Sequence, residues 1–172
     1  FGKNKKVLDS ETADKLLDKA DVILPSKRKY YIENLYSHYA NTLHKEPLDI
    51  AIDIIKERYP EYAPETEKLH TRTSAHMFNM FIMKKEHFDA YCEWLFDILF
   101  ELEKRTKDFE YDSFHARFFG RVSELLLDVW VNMNGIKYVE YPFIYTEKVN
   151  IFKKGMSFLM AKFFGKKYGK SF

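Results

Sequence analysis

Hydrophobic positions recur at helical spacing along two long stretches of the chain. From Phe88 onward, Tyr91, Cys92, Trp94, Leu95, Phe96, Ile98, Leu99 and Leu102 fill an apolar arc of roughly 200° at 100° per residue. Asp89, Glu93, Asp97, Glu101 and Lys104 take the opposite side, so the spacing predicts a helix over residues 84–105. A second long helix is predicted over 113–133, capped by Asp112 and ended by Asn134-Gly135.

Shorter elements precede these two. Ser10 is placed to cap a helix over 11–20, with Glu11 and Asp14 in its first turn. A tyrosine-rich helix is predicted over 31–43. Pro47 suits the first position of a further helix, which carries Leu48, Ile50, Ala51, Ile54 and Ile55 and must end near Tyr59, before Pro60; Pro64 starts a short helical turn. Val22–Pro25 reads as a short buried strand, Ala75–Met83 as an interior strand apolar on both faces, and 136–145 as a last strand. The expected fold class is α+β, predominantly helical, with interior strands too sparse to complete a sheet.

Composition supports a packed core. The chain has 172 residues, 46% hydrophobic and 17% aromatic, which excludes general disorder and fits one domain. A chain near this length buries about 70% of the surface its unfolded form exposes. Cys92 is the single cysteine, so no disulfide forms within the chain and no thiolate metal cluster is built; it reads as a small core residue in a reducing compartment. No signal peptide and no apolar run of transmembrane length are present, which leaves a soluble chain or one lying on a membrane surface.

The net charge of +2 conceals a division. Residues 148–172 hold seven lysines and no acid, against 21 basic and 26 acidic groups in the remainder. That predicts a body over 1–147 with a basic tail over 148–172, and argues against a nucleic-acid partner. In the tail, Phe152, Met156, Leu159, Met160 and Phe163 form an apolar stripe about 100° wide with lysines around much of the rest. Residues 152–172 read either as an interfacial membrane binder or as a stripe docked on the body with its lysines solvated.

The helix over 113–133 carries the candidate chemistry. Apolar residues surround most of it, while Arg117, Arg121, Glu124, Asp128 and Asn132 gather on a stripe within roughly 80° of arc. Such a stripe is either a solvated seam, with Arg121 and Glu124 paired for about 0.2–0.5 kcal/mol, or the wall of a cleft. In a cleft, the arginines would meet phosphate oxygens in bidentate fashion and Glu124 would take a proton from a sugar hydroxyl. His76 presents the same choice between a satisfied core histidine and a substrate contact. On a straight strand it points with Phe78 and Met80, with Asn79 on the other face. No glycine-rich phosphate loop, HExxH, GxSxG or Asp-x-Asp occurs in the chain, so no complete catalytic apparatus is recognisable in it.

Three stretches resemble a bacterial family of capsular and exopolysaccharide gene clusters, catalogued as a domain of unknown function. They are Asp21–Pro25 followed by the tyrosine-rich run and His38-Tyr39; Ser74–Met83 continuing into Tyr91–Phe96; and Ala116–Trp130. They span nearly the whole chain in the family's order. The resemblance implies the C-terminal part of a larger α/β glycosyltransferase-like fold, using a nucleotide sugar, in particular a uridine diphosphate sugar, and a lipid-linked glycan acceptor at the inner face of the cell membrane. With the phosphate-loop, HExxH and Asp-x-Asp motifs absent, no cofactor or metal is expected to be held by this chain. The family's pattern carries an arginine before the helix glycine, as Arg117 does, and a glutamate where Glu124 stands; with the stripe and strand readings this makes Glu124 and His76 the expected catalytic residues and Arg117, Arg121, Asn79 and Asp128 the expected substrate-binding ones. Two departures stand out. The family commonly places an arginine directly after that glutamate, where this chain has Leu125. Relatives also carry an upstream His-Tyr-Arg-Arg-Tyr-like stretch absent here, so most of the donor-binding half is expected to lie outside this sequence. The rival expectation is a non-catalytic module that binds a membrane or another protein. A convex stripe would favour that rival; a concave one with His76 nearby would favour the enzyme.

Overall fold

A computed structural model describes residues 7–144. Its strand β1 (Val22–Pro25) is buried at every position, as four successive apolar residues require of a strand covered on both faces. It is the middle strand of three. On one side β4 (Ile82–Met83) pairs antiparallel, Val22 opposite Met83; on the other β5 (Tyr138–Tyr141) pairs parallel, from Val22 opposite Tyr138 to Pro25 opposite Tyr141. A separate antiparallel pair joins β2 (Arg28–Lys29) to β3 (Ser74–Ala75), with Arg28 opposite Ala75.

Helices make up the rest: α1 (Ser10–Leu17), α2 (Leu35–Thr42), α3 (Glu46–Arg58), α4 (Ala63–Glu67), α5 (Lys85–Arg105) and α6 (Phe118–Met133). The core lies between α3, α5 and α6, where Ile54, Ile55, Ile98, Leu102, Leu126, Leu127 and Val129 are fully buried. Aromatic rings tie these helices together: Tyr62 stacks on Trp94 at 5.0 Å between centroids, and Tyr91 meets Trp130 at 5.3 Å. Outside the core, ion pairs lace α3 to α5. Arg58 reaches Asp97 at 2.7 Å and Glu101 at 2.5 Å, and Arg105 reaches Glu57 at 2.5 Å. The Tyr36 hydroxyl donates to Asp49 at 2.6 Å, joining α2 to α3.

The mostly helical α+β architecture agrees with the sequence expectation, and so do the two long helices. The details differ where local chemistry wins. Asp9, not Ser10, caps α1, accepting from the Thr12 N–H at 2.8 Å. Asn34 caps α2, which therefore starts four residues later than the tyrosine-rich pattern predicted. Asp112 does receive the N–H groups of Phe114 and His115, each at 2.9 Å, but a 3-10 turn over His115–Arg117 precedes α6. Phe88 and Phe96 are exposed, so the buried face of α5 is narrower than its apolar arc.

The largest correction concerns the strand expected over Ala75–Met83. Only its two ends are strand. Between them Phe78 has φ 80° and Asn79 φ 49°, a left-handed kink that turns the segment through the fold and places Met80 at the surface. Cys92 is half-buried, and burial, followed by the nearby Asp89, pushes its thiol up from the ordinary value. Among the described residues no helix is long and apolar enough to cross a membrane. The tail stripe over 152–172 lies outside the described residues.

Candidate functional site

The kink at Phe78 and Asn79 forms the floor of a cleft of about 640 Å³ between α2 and α6. A left-handed backbone at a bulky residue such as Phe78 costs about 1–3 kcal/mol and persists only where its surroundings impose it. Here two clasps impose it. The Phe78 N–H donates to the Glu124 carboxylate. The Asn79 amide donates to the Gly120 carbonyl at 2.9 Å, while its oxygen sits 3.1 Å from the Ser123 hydroxyl.

One wall comes from the polar stripe of α6 and the turn before it. Arg117, Arg121 and Glu124 all face the cleft, so this part of the stripe is concave. Glu124 is half-buried. Burial raises its carboxyl above the ordinary range, against the opposing pull of Arg121, the Phe78 N–H, Arg28 and Arg117. Arg121 also lies over the Phe114 ring at 5.6 Å.

The stripe then leaves the cleft. Asp128, one turn further, is buried, and its carboxylate holds His76: Oδ1 lies 2.5 Å from the His76 Nδ1, and Oδ2 accepts the His76 backbone N–H at 3.1 Å. His76 is fully enclosed, with Nε2 3.3 Å from Glu140 and the ring edge-on to Tyr138 at 4.9 Å. Of the six residues singled out in the sequence, Arg117, Arg121, Glu124 and Asn79 thus line one cleft. His76 and Asp128 form a buried pair behind it. The straight-strand geometry assumed for His76 does not exist here, because the kink follows two residues later.

Sequence reasoning gave no role to the opposite wall. Arg28 and Tyr30, at β2, and His38, Tyr39 and Thr42, on α2, line it. Arg28 stacks on Tyr30 at 5.0 Å. His38 packs against the same ring at 4.3 Å, with Nδ1 3.5 Å from the buried Glu33, whose other oxygen accepts from Asn41 at 2.7 Å. A two-residue strand is too short to show alternation, which hid Arg28. The tyrosine run was visible, but its phase was not. The cleft lining therefore holds three guanidiniums and a single carboxylate. Among the described residues no cluster of three or more His, Cys, Asp or Glu is placed to hold a metal ion.

No protein of curated function matches the chain in sequence. A solved structure titled as the apo form of the bifunctional glycosyltransferase WbbM superposes with a TM-score of 0.72 at 28% identity, over 82% of this chain. The match spans 27% of that chain's length, so this sequence corresponds to about a quarter of it, and the fold is a piece of a glycosyltransferase-like fold. Residues 2–135 match the family described as "Domain of unknown function (DUF4422)", and the chain belongs to that family.

Proposed function

We propose that the cleft serves a glycosyltransferase, with a nucleotide sugar, in particular a uridine diphosphate sugar, as donor. The observation that carries this reading is the convergence of Arg28, Arg117 and Arg121 on one half-buried glutamate in a cavity of about 640 Å³. That volume lies within the range of small-ligand pockets. Transfer creates two charge problems, a proton leaving the acceptor hydroxyl and a negative diphosphate leaving the anomeric carbon. Glu124 answers the first as the base that receives the proton while the acceptor oxygen bonds to that carbon. The arginines answer the second, by donating to the departing diphosphate oxygens.

Asn79 and His76 act at one remove in this scheme. Asn79 spends its amide on Gly120 and Ser123 and so fixes the floor; His76, locked to Asp128, fixes the segment leading into it. The concavity at Arg117, Arg121 and Glu124 favours the enzyme over the binding-module alternative. The resemblance to capsular and exopolysaccharide enzymes adds the finer proposal of a lipid-linked glycan acceptor at the inner face of the cell membrane, reached through residues 152–172. Liposome binding before and after deleting those residues tests that part.

Titration of uridine diphosphate and its sugar derivatives by calorimetry, alongside an Arg121→Ala, Glu124→Ala double variant, tests the central claim. Binding to the native chain that weakens more than tenfold in the double variant is expected. Unchanged binding in that variant removes this cleft as the donor site.

A further inference from the structure

The outer flank of α5 is apolar where a helix surface should be wet. Phe88, Phe96 and Phe100 are 45%, 47% and 59% exposed, and with the half-buried Cys92 they follow one another at four-residue spacing. Such a row is the ridge that one helix offers to another. Phe96 and Phe100 lie 5.8 Å apart between ring centroids. The apolar surface continues past the helix, because Phe81 meets Phe88 at 6.2 Å and Met80 and Ile82 beside it are exposed. A monomer seldom leaves a contiguous patch of this kind bare.

Three observations say what covers it. The first is where the described chain ends. Phe143 packs on Phe78 at 4.9 Å, two residues before Met80, so the chain passes out at the near edge of this surface. The second is length. Residues 145–151 extend over about 23 Å, enough to carry Phe152 along the patch. At helical rise the stripe from Phe152 to Phe163 is about 16 Å long, against about 18 Å from Phe88 to Phe100. The third is charge. Asp89, Glu93 and Glu103 are exposed on the same flank as the ridge, while residues 148–172 hold seven lysines and no acid. The same acids would repel an anionic lipid surface, so the ridge suits a basic occupant.

We propose that the apolar stripe over 152–163 docks on the Phe88–Phe100 ridge of α5 in the same chain, with tail lysines meeting Asp89, Glu93 and Glu103. The docking rests on no part of the transferase reading. It bears on the membrane contact, since one stripe cannot cover α5 and a bilayer at once. The ridge is then a competitor of the membrane, and the tail reaches lipid only by leaving it.

Cys92, the single cysteine, sits in the middle of the ridge and reports whether it is covered. The test compares the rate of Cys92 modification by a maleimide in the native chain and in a Met156→Asp, Met160→Asp double variant. Modification should be about tenfold faster in the variant, as for a site freed from a local closed state. Reciprocally, trypsin should cut at the tail lysines of Phe96→Asp about tenfold faster than at those of the native chain. Equal rates in either assay overturn the docking. A native dimer in sedimentation equilibrium that Phe96→Asp dissociates assigns the ridge to a second copy, and overturns it too. Vesicles of phosphatidylserine and phosphatidylcholine separate the docking from the membrane contact. Vesicle binding should raise the native Cys92 rate to that of the double variant. Binding that the double variant loses, with the native Cys92 still shielded, overturns the docking. A shielded Cys92 with no vesicle binding keeps the docking and removes the membrane contact.

Discussion

The His76 ring and backbone are both held by one carboxylate, that of Asp128, at 2.5 Å and 3.1 Å respectively. Fifty-two positions separate these residues in sequence, so the contact pins the kinked segment to the middle of α6. Removing Asp128 strands two buried donors at once. Asp128→Ala should therefore lower unfolding free energy by about 3 kcal/mol, measured by urea denaturation. A loss below about 1 kcal/mol would mean the pair contributes little.

Asn79 separates backbone strain from side-chain bonding. At φ 49° an alanine pays the left-handed penalty, whereas a glycine does not. Both substitutions lose the bonds to Gly120 and Ser123. Asn79→Gly should thus be more stable than Asn79→Ala by about 1 kcal/mol, with both below the native chain. Thermal melts of the three proteins decide it; equal midpoints for the two variants would contradict the kink.

Glu124 gives a pH dependence of definite sign. Its carboxyl titrates above the ordinary value of 4.5 in the folded chain, chiefly through burial. Between the ordinary and the raised value the folded state binds more protons than the unfolded state, so stability falls as pH rises through that window. Glu124→Gln has no such titration. Its melting midpoint should match the native chain's below the ordinary carboxyl range and exceed it at pH 7. In a transfer assay, the rising limb of activity should sit above the ordinary carboxyl range, because the base must be ionised.

The ion pairs between α3 and α5 respond to salt instead. Arg58, Glu57, Glu101 and Arg105 lie at the surface, where solvent and ions screen them. Glu101 engages both arginines, and the Arg105 hydrogen bond, helped by the charge of Arg58, holds its carboxyl below the usual range. Glu101→Gln should lower the melting midpoint in dilute buffer and have almost no effect in molar sodium chloride.

The two long helices were legible because their apolar positions repeat over several turns, enough to fix both period and phase. The α6 stripe was legible as a stripe, but not as two environments. Helical periodicity groups Arg121, Glu124 and Asp128 on one side, yet only the path of the distant 76–81 segment decides that the first two meet a cleft and the third meets His76. That path turns on two left-handed residues, and neither is glycine. Phe78 resembles any strand residue in an apolar run; its conformation is set by the Glu124 clasp from far along the chain. Arg28 and Tyr39 escaped for a related reason, since the wall they form exists only once β2 has paired with β3 and α2 has packed beside the kink.

Both tryptophans of the chain, Trp94 and Trp130, are buried, and Tyr91 touches each of them. The tryptophan fluorescence is consequently confined to one patch, the seam between α5 and α6, and neither indole borders the cleft. Emission colour should then shift to the red in a single step as that seam opens to water, while an occupant of the cleft leaves it nearly unchanged. The molecule thus carries a built-in optical gauge of its integrity that is largely blind to ligand, and a variant that has lost binding is told apart from one that has lost its fold in the same cuvette.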